Sequence, residues 1–169
     1  RAGNVIGGGD WSPNRLIPDS INAIIKNKQI YIRNPNFNRP WQHVLEPLYG
    51  YLILGEKLFK NPKLYSGAWN FGTSKNTVTN VLQIVQAIIK FWGKGKVKFK
   101  KKTRYYEQTN LQLNINKAKT ILNWHPNYSI MKSVFITTEW YKKVLKQKLS
   151  SEEVTTKQIN QYMNELKKN

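Results

Sequence analysis

At 169 residues, 40% of them apolar and with six Trp, nine Tyr and six Phe, the chain is long enough for a packed core and too hydrophobic for wholesale disorder. It has no cysteine, which excludes disulfides, thiolate metal sites and a Cys nucleophile; no apolar run nears the ~18 residues of a membrane span and no signal-like segment opens it, so a cytoplasmic location is expected. Lys and Arg number 28 against nine Asp and Glu, but only five of these cations are Arg and Asn and Ile are also abundant, so the net charge of +19 reads as compositional bias and no specific nucleic-acid partner is expected.

The chain opens on Arg1-Ala2-Gly3-Asn4-Val5-Ile6, which reads as the middle of a strand, so it is expected to be the later part of a longer protein. Gly7-Gly8-Gly9-Asp10 follows as a turn where the backbone takes positive φ or approaches something closely. No G-x-G-x-x-G occurs, so this is not a dinucleotide fingerprint. After Asn14, the spacing of Leu16, Ile17, Ile21, Ile24 and Ile25 predicts a helix with Pro18 and Asp19 in its first turn. Ile30 to Ile32 is a short strand, and Asn34 to Pro40 a turn-rich loop.

Trp41 to Leu45 reads as extended, and Glu46-Pro47 opens a second helix that Asn61-Pro62 stops. Ala68 to Gly72 reads as a strand. From Thr77, the positions Val78, Val81, Leu82, Val85, Ile88, Ile89 and Trp92 predict an amphipathic helix closed by Gly93 and Gly95. Alternation over Lys96 to Lys100 turns Val97 and Phe99 inward and the lysines to water. Leu111 to Ile115 reads as a further strand. Asn116 caps a small helix ending at Pro126, Ser129 starts a long helix through Leu149, and a last helix begins at Thr155. The polar stretch Ser150 to Glu153 is the one candidate linker. Short strands between helices of 12 to 20 residues give an α/β class, with too few strands for a complete doubly wound sheet.

Catalytic sets are nearly absent, and no catalytic or metal-ligating residue is assigned. His43 has no Ser or Asp partner at a suggestive spacing, and His125 sits in a packed helix-end context. Glu46 at a helix start serves the helix dipole, and Asp10 and Asp19 lie at turns or caps. What remains suits a small phosphorylated ligand: Arg33 and Arg39 in the loop, Arg15 at a helix start, and Asn4 and Asn70 at strand ends. Guanidinium forks and amides at such places hold pyrophosphates, although each residue is equally at home as a surface charge or turn cap.

Five ordered motifs resemble the CDP-glucose 4,6-dehydratase family of the extended short-chain dehydrogenase/reductases. They are Arg1 to Trp11, Arg15-Leu16-Ile17-Pro18-Asp19, Ile32-Arg33-Asn34-Pro35, Arg39-Pro40-Trp41-Gln42-His43-Val44-Leu45-Glu46-Pro47-Leu48, and Ala68-Trp69-Asn70-Phe71-Gly72. A weaker likeness continues through Lys117-Ala118-Lys119 and Leu122-Asn123-Trp124-His125-Pro126.

The resemblance implies a C-terminal substrate-binding lobe, with the last strand of a truncated Rossmann domain at its start. Residues 1–10 would end that domain, 11–150 form the nucleotide-sugar lobe, and 151–169 a C-terminal helix. It implies NAD, held mainly by the part preceding Arg1, and CDP-glucose as substrate. NAD takes hydride from the sugar C4, water leaves across C5 and C6, and the hydride returns to C6. The parent enzyme would be a homodimer or larger, and this chain alone inactive.

Carried over by position, Ala2 and Gly3 lie near the nicotinamide, and Asn4 touches the diphosphate. Arg15, Leu16 and Ile17 pack near the nucleoside, Arg39 clamps the diphosphate, and Asn70 stands beside it. Trp11 and Trp41 either wall the base pocket or belong to the core. Tyr106-Glu107-Gln108 and Asn114 depart from the family pattern, at the base-recognition loop and at a helix cap. Two rival readings stay open: another nucleotide-sugar epimerase or dehydratase of different base preference, and a basic polyanion-binding protein.

Overall fold

The computed structural model describes residues 1–74, 79–99 and 111–168. In chain order these form β1 (Asn4–Ile6), α1 (Leu16–Ile25), β2 (Ile30–Ile32), β3 (Trp41–His43), α2 (Leu45–Lys60), α3 (Pro62–Tyr65), α4 (Val81–Trp92), β4 (Val97–Phe99), α5 (Asn116–Leu122), α6 (Ile130–Leu145) and α7 (Ser151–Leu166). Thr77 and Val78 of the predicted helix start and the Tyr106-Glu107-Gln108 departure lie outside the described residues.

Two parallel strand pairs frame the molecule. β1 pairs with β3, Asn4 opposite Trp41 and Ile6 opposite His43; β2 pairs with β4, Ile30 opposite Val97. Parallel neighbours need long crossovers, and α1 and α4 occupy the two connections. The main core gathers Ile17, Ile21 and Ile24 of α1, Ile84, Val85, Ile88 and Trp92 of α4, and Val134 and Tyr141 of α6 against Ile6, Ile30 and Ile32. A second cluster around Trp69, Phe71, Ile115, Leu122 and Trp124 packs under α2, where a Cβ on Gly50 would lie 2.4 Å from the Phe71 ring. That glycine is fixed by packing.

Several predicted elements come out differently. Ala68 to Gly72 is not a strand: only Phe71 makes a bridge, parallel to Ala2. Leu111 to Ile115 is irregular, tied by a Leu111 N–H bond to the Asn38 carbonyl, with no neighbouring strand among the described residues. Val97 is half-buried against the main core as expected, but Phe99, on the same face two residues further on, is exposed. Asn116 is not the cap of α5. The Asn114 carboxamide accepts from the Asn116 N–H at 3.0 Å, so Asn114 serves the start of the helix instead.

The long helix ends four residues early, where Lys148 adopts a left-handed φ of 55°. The presumed linker is instead the first turn of α7, with Glu152 and Glu153 at the end of the helix that favours acids. α7 does not stand apart: Gln158 donates to the Ile136 carbonyl, Trp140 to Thr155, and Tyr162 is buried beside Tyr128.

Candidate functional site

Two adjoining clefts, of about 550 and 460 Å3, open where β1 meets the start of α1 and the loop before β3. Asn4, Asn14, Leu16 and Trp41 line both. The larger adds Arg33, Arg39, Tyr31 and Phe37; the smaller adds Gly3, Asp10, Arg15 and Ile17. These volumes fall in the range of small-molecule sites, ~300–1,000 Å3.

The structure thus brings together Gly3, Asn4, Arg15, Leu16, Ile17 and Arg39 of the eight residues singled out by sequence. Their surroundings separate them. Ile17 is buried in the main core and also lines the smaller cleft. The space over Gly3 is taken by Pro40, whose carbonyl oxygen would lie 2.5 Å from an added Cβ, so its glycine is required by the chain itself. Arg15 precedes α1 and its guanidinium holds Asp10 at 3.0 Å. Burial works against the Asp10 carboxylate, but the Ser12 N–H and Arg15 outweigh it and keep its pKa below the ordinary value.

Arg39 is set over the Phe37 ring at 5.2 Å and donates to the Asn38 carbonyl at 2.9 Å. The loop that carries it is anchored on the N-terminus of α4. There the Val81 and Leu82 N–H groups donate to the Phe37 and Pro35 carbonyls, while Asn80 and Gln83 form a reciprocal capping box. Of the four orphan donors of a helix start, two thereby hold this loop and the other two are met by the capping box. Asn80→Ala should therefore cost about 1 kcal/mol of stability, measured by urea unfolding. It should also speed amide exchange at Phe37 and Asn38; exchange unchanged at those residues would show that the cap does not hold the loop.

Ala2 and Asn70 line neither cleft. Phe71 bonds to the opposite edge of β1 from Pro40, through Gly3 N–H to the Phe71 carbonyl and Phe71 N–H to the Arg1 carbonyl. This carries Asn70 to the far side, where its amide donates to the Asn114 carbonyl at 3.1 Å and its Oδ1 is buried without a partner. Trp41 is both a core residue and a cleft wall, with a buried and unpaired Nε1. Trp11 is about half exposed, lies edge-on to Tyr141 at 5.1 Å, and lines neither cleft.

Sequence reading passed over Asn14, which takes a left-handed φ of 64° and lines both clefts; an Asn after Ser-Pro was the available signal. It also undervalued Glu46. That carboxylate is fully buried and accepts from the Asn127 and Tyr128 N–H groups at 2.9 and 2.7 Å and from the Tyr162 hydroxyl at 3.1 Å. Burial nevertheless pushes its pKa above the ordinary value. His43, three residues earlier, is buried too, with its pKa lowered to about 4 by desolvation, and its Nδ1 accepts from the Leu45 N–H. His125 is exposed. None of these three lines the clefts.

No protein-family model matches the chain. A CDP-glucose 4,6-dehydratase of Salmonella typhimurium is 39% identical over 143 residues, covering 84% of this chain and 40% of that protein. An epimerase of Methanothermobacter thermautotrophicus superposes with a TM-score of 0.75 at 20% identity, over 87% of this chain and 43% of that one. The dTDP-glucose 4,6-dehydratase of Bacillus anthracis, solved in complex with NAD, gives 0.70 at 21% identity, over 86% and 44%. The chain is a homologue of CDP-glucose 4,6-dehydratase with the extended short-chain dehydrogenase/reductase fold.

This homologue spans less than half the length of the relatives it matches. Among its described residues no group of three acidic or His side chains is placed to hold a metal, and no helix is long and apolar enough to cross a membrane.

Proposed function

We propose that this chain forms the nucleotide-sugar-binding part of a CDP-glucose 4,6-dehydratase. The observation that carries the reading is the meeting of Asn4, Leu16 and Arg39 around one cleft, within a stretch 39% identical to such an enzyme. One guanidinium and neighbouring amides match two phosphates without surplus charge. Leu16 and Trp41 supply apolar walls for the nucleoside. Ala2 and Asn70, on the other edge of β1, would meet ligand only from that side.

On this reading residues 1–10 close a dinucleotide-binding domain, 11–150 hold the sugar nucleotide, 151–169 add a C-terminal helix, and the enzyme is a cytoplasmic homodimer or larger assembly. The residues present do not by themselves form an NAD site. Only Gly3 of the pair assigned to it lines a cleft, and Pro40 fills the space above it. The cofactor would be held by sequence preceding Arg1, and with it the redox chemistry. The work of this chain is to bind and orient the diphosphate and nucleoside.

The test is equilibrium binding of CDP, UDP, dTDP and GDP to the protein as its native cell makes it. CDP is expected to bind at least tenfold more tightly than the others, with a weak dependence on salt. Tighter UDP or dTDP binding would replace CDP-glucose with another nucleotide sugar. A steep salt dependence with no preference among nucleotides would mark a polyanion binder instead.

A further inference from the structure

A cleft of about 250 Å3 opens between α6 and α7, and none of the residues that line it lines either of the two clefts described above. Its apolar walls are Phe135, Ile136, Leu149 and Val154. The two most buried of these belong to different cores: Ile136 packs with Tyr128 and Tyr162, Val154 with the main cluster. The cleft is the seam between them. Charged side chains from both helices, Lys132, Glu139 and Lys143 on α6 and Lys157 on α7, complete the lining.

The charges around the opening do not balance. Lys132 is paired with Glu165, Lys157 with Glu153 at 2.6 Å, and Glu139 with Lys142 at 3.2 Å. Lys143, four residues after Glu139 and so on the same helix face, is left with no carboxylate among the described residues. It is nonetheless half-buried. A lysine without a counter-ion beside apolar walls attracts an anion more strongly than one in open water, because screening there is weaker. The backbone supports the same spot. Lys148 takes a left-handed φ of 55°, uncommon for a lysine, and the Leu149 N–H returns to the Lys143 carbonyl at 3.2 Å, which brings Leu149 into the wall.

Size narrows the occupant. An apolar cavity of ~150 Å3 holds a benzene ring, so this one takes a ring with a short side chain, or a branched aliphatic body of like size. One unpaired lysine calls for one negative charge. We propose that the seam between α6 and α7 is a binding site for a small apolar monocarboxylate, its body against Ile136, Leu149 and Val154 and its carboxylate on Lys143. A nucleoside diphosphate is too large for this volume and brings more charge than Lys143 can meet, so the site is separate from the nucleotide clefts in chemistry as well as in place.

The test titrates the full-length protein with 3-phenylpropanoate, and separately with its neutral amide, following the methyl NMR signals of Ile136, Leu149 and Val154. The expected result is saturable binding that shifts those methyls and leaves Leu16 of the nucleotide clefts unmoved, with the acid bound at least about tenfold more tightly than the amide. Lys143→Gln should weaken binding of the acid by about tenfold or more, as loss of a charge-assisted contact does. Lys98→Gln, which removes the same charge from exposed β4, should leave it unchanged. Absence of a saturable shift at the three methyls would overturn the proposal, as would a shift at Leu16 in their place. Equal affinity for acid and amide would overturn it in favour of a plain apolar pocket, and equal losses in the two variants in favour of a response to net charge.

Discussion

Glu46→Ala is expected to lower the unfolding free energy by about 4 kcal/mol, a large share of what holds a domain of this size. Glu46 stands in the first turn of α2, yet its two oxygens serve the Asn127 and Tyr128 amides and the Tyr162 hydroxyl. The Trp124 indole N–H donates to its backbone carbonyl at 3.2 Å. One residue therefore joins α2, the segment leading into α6, and α7. Removing the carboxylate strands three buried donors and leaves a void.

Urea unfolding followed by Trp fluorescence measures this, and a loss below about 1 kcal/mol would show that water replaces the carboxylate. The pH dependence supplies a second reading. Burial raises the folded-state pKa of Glu46 above its usual 4.5, so the native state binds its proton first as pH falls. The proton-linked part of the stability from Glu46 is thus full below 4.5 and is lost as pH rises through the raised value. His43 slopes the other way: held at about 4 against an ordinary 6.5, it makes the fold weaker as pH falls between those values. The difference between wild type and Glu46→Gln cancels His43 and should show the Glu46 slope alone.

Arg39→Ala in the full enzyme should weaken nucleotide-sugar binding by about 2 kcal/mol, roughly 30-fold. The guanidinium lies on Phe37 in a loop anchored to α4, so little freedom remains to be lost when a diphosphate arrives. Arg39→Lys should recover only part of this affinity, since an ammonium lacks the two-pronged fork that meets two phosphate oxygens. Calorimetric titration with CDP decides it. Unchanged affinity in Arg39→Ala would remove the residue from the site.

Periodicity located the helices because each buries a continuous stripe: the isoleucines of α1 and the series from Val81 to Trp92 are where the sequence places them. The ends were harder to see. α4 starts at a capping box, Asn80 with Gln83, that a search for apolar spacing overlooks. Ala68 to Gly72 and Leu111 to Ile115 have strand-like residues, but a strand also needs a neighbour, and pairing is not written locally. Arg39, Arg15 and Asn4, singled out through their motifs, line the two clefts. The role of Glu46 was not, because its partners lie 81, 82 and 116 residues further along the chain.

The glycine turn after β1 has a mechanical meaning. A Cβ on Gly8 would fall 2.0 Å from the Trp140 ring, and the Tyr141 hydroxyl bonds to the Asp10 carbonyl at 2.5 Å. The wall that presents Asp10 and Arg15 is thus keyed into α6, itself latched to α7 through Trp140 and Thr155. A ligand that shifted this wall would have to carry two helices with it, so the floor of the cleft behaves as a stiff bracket.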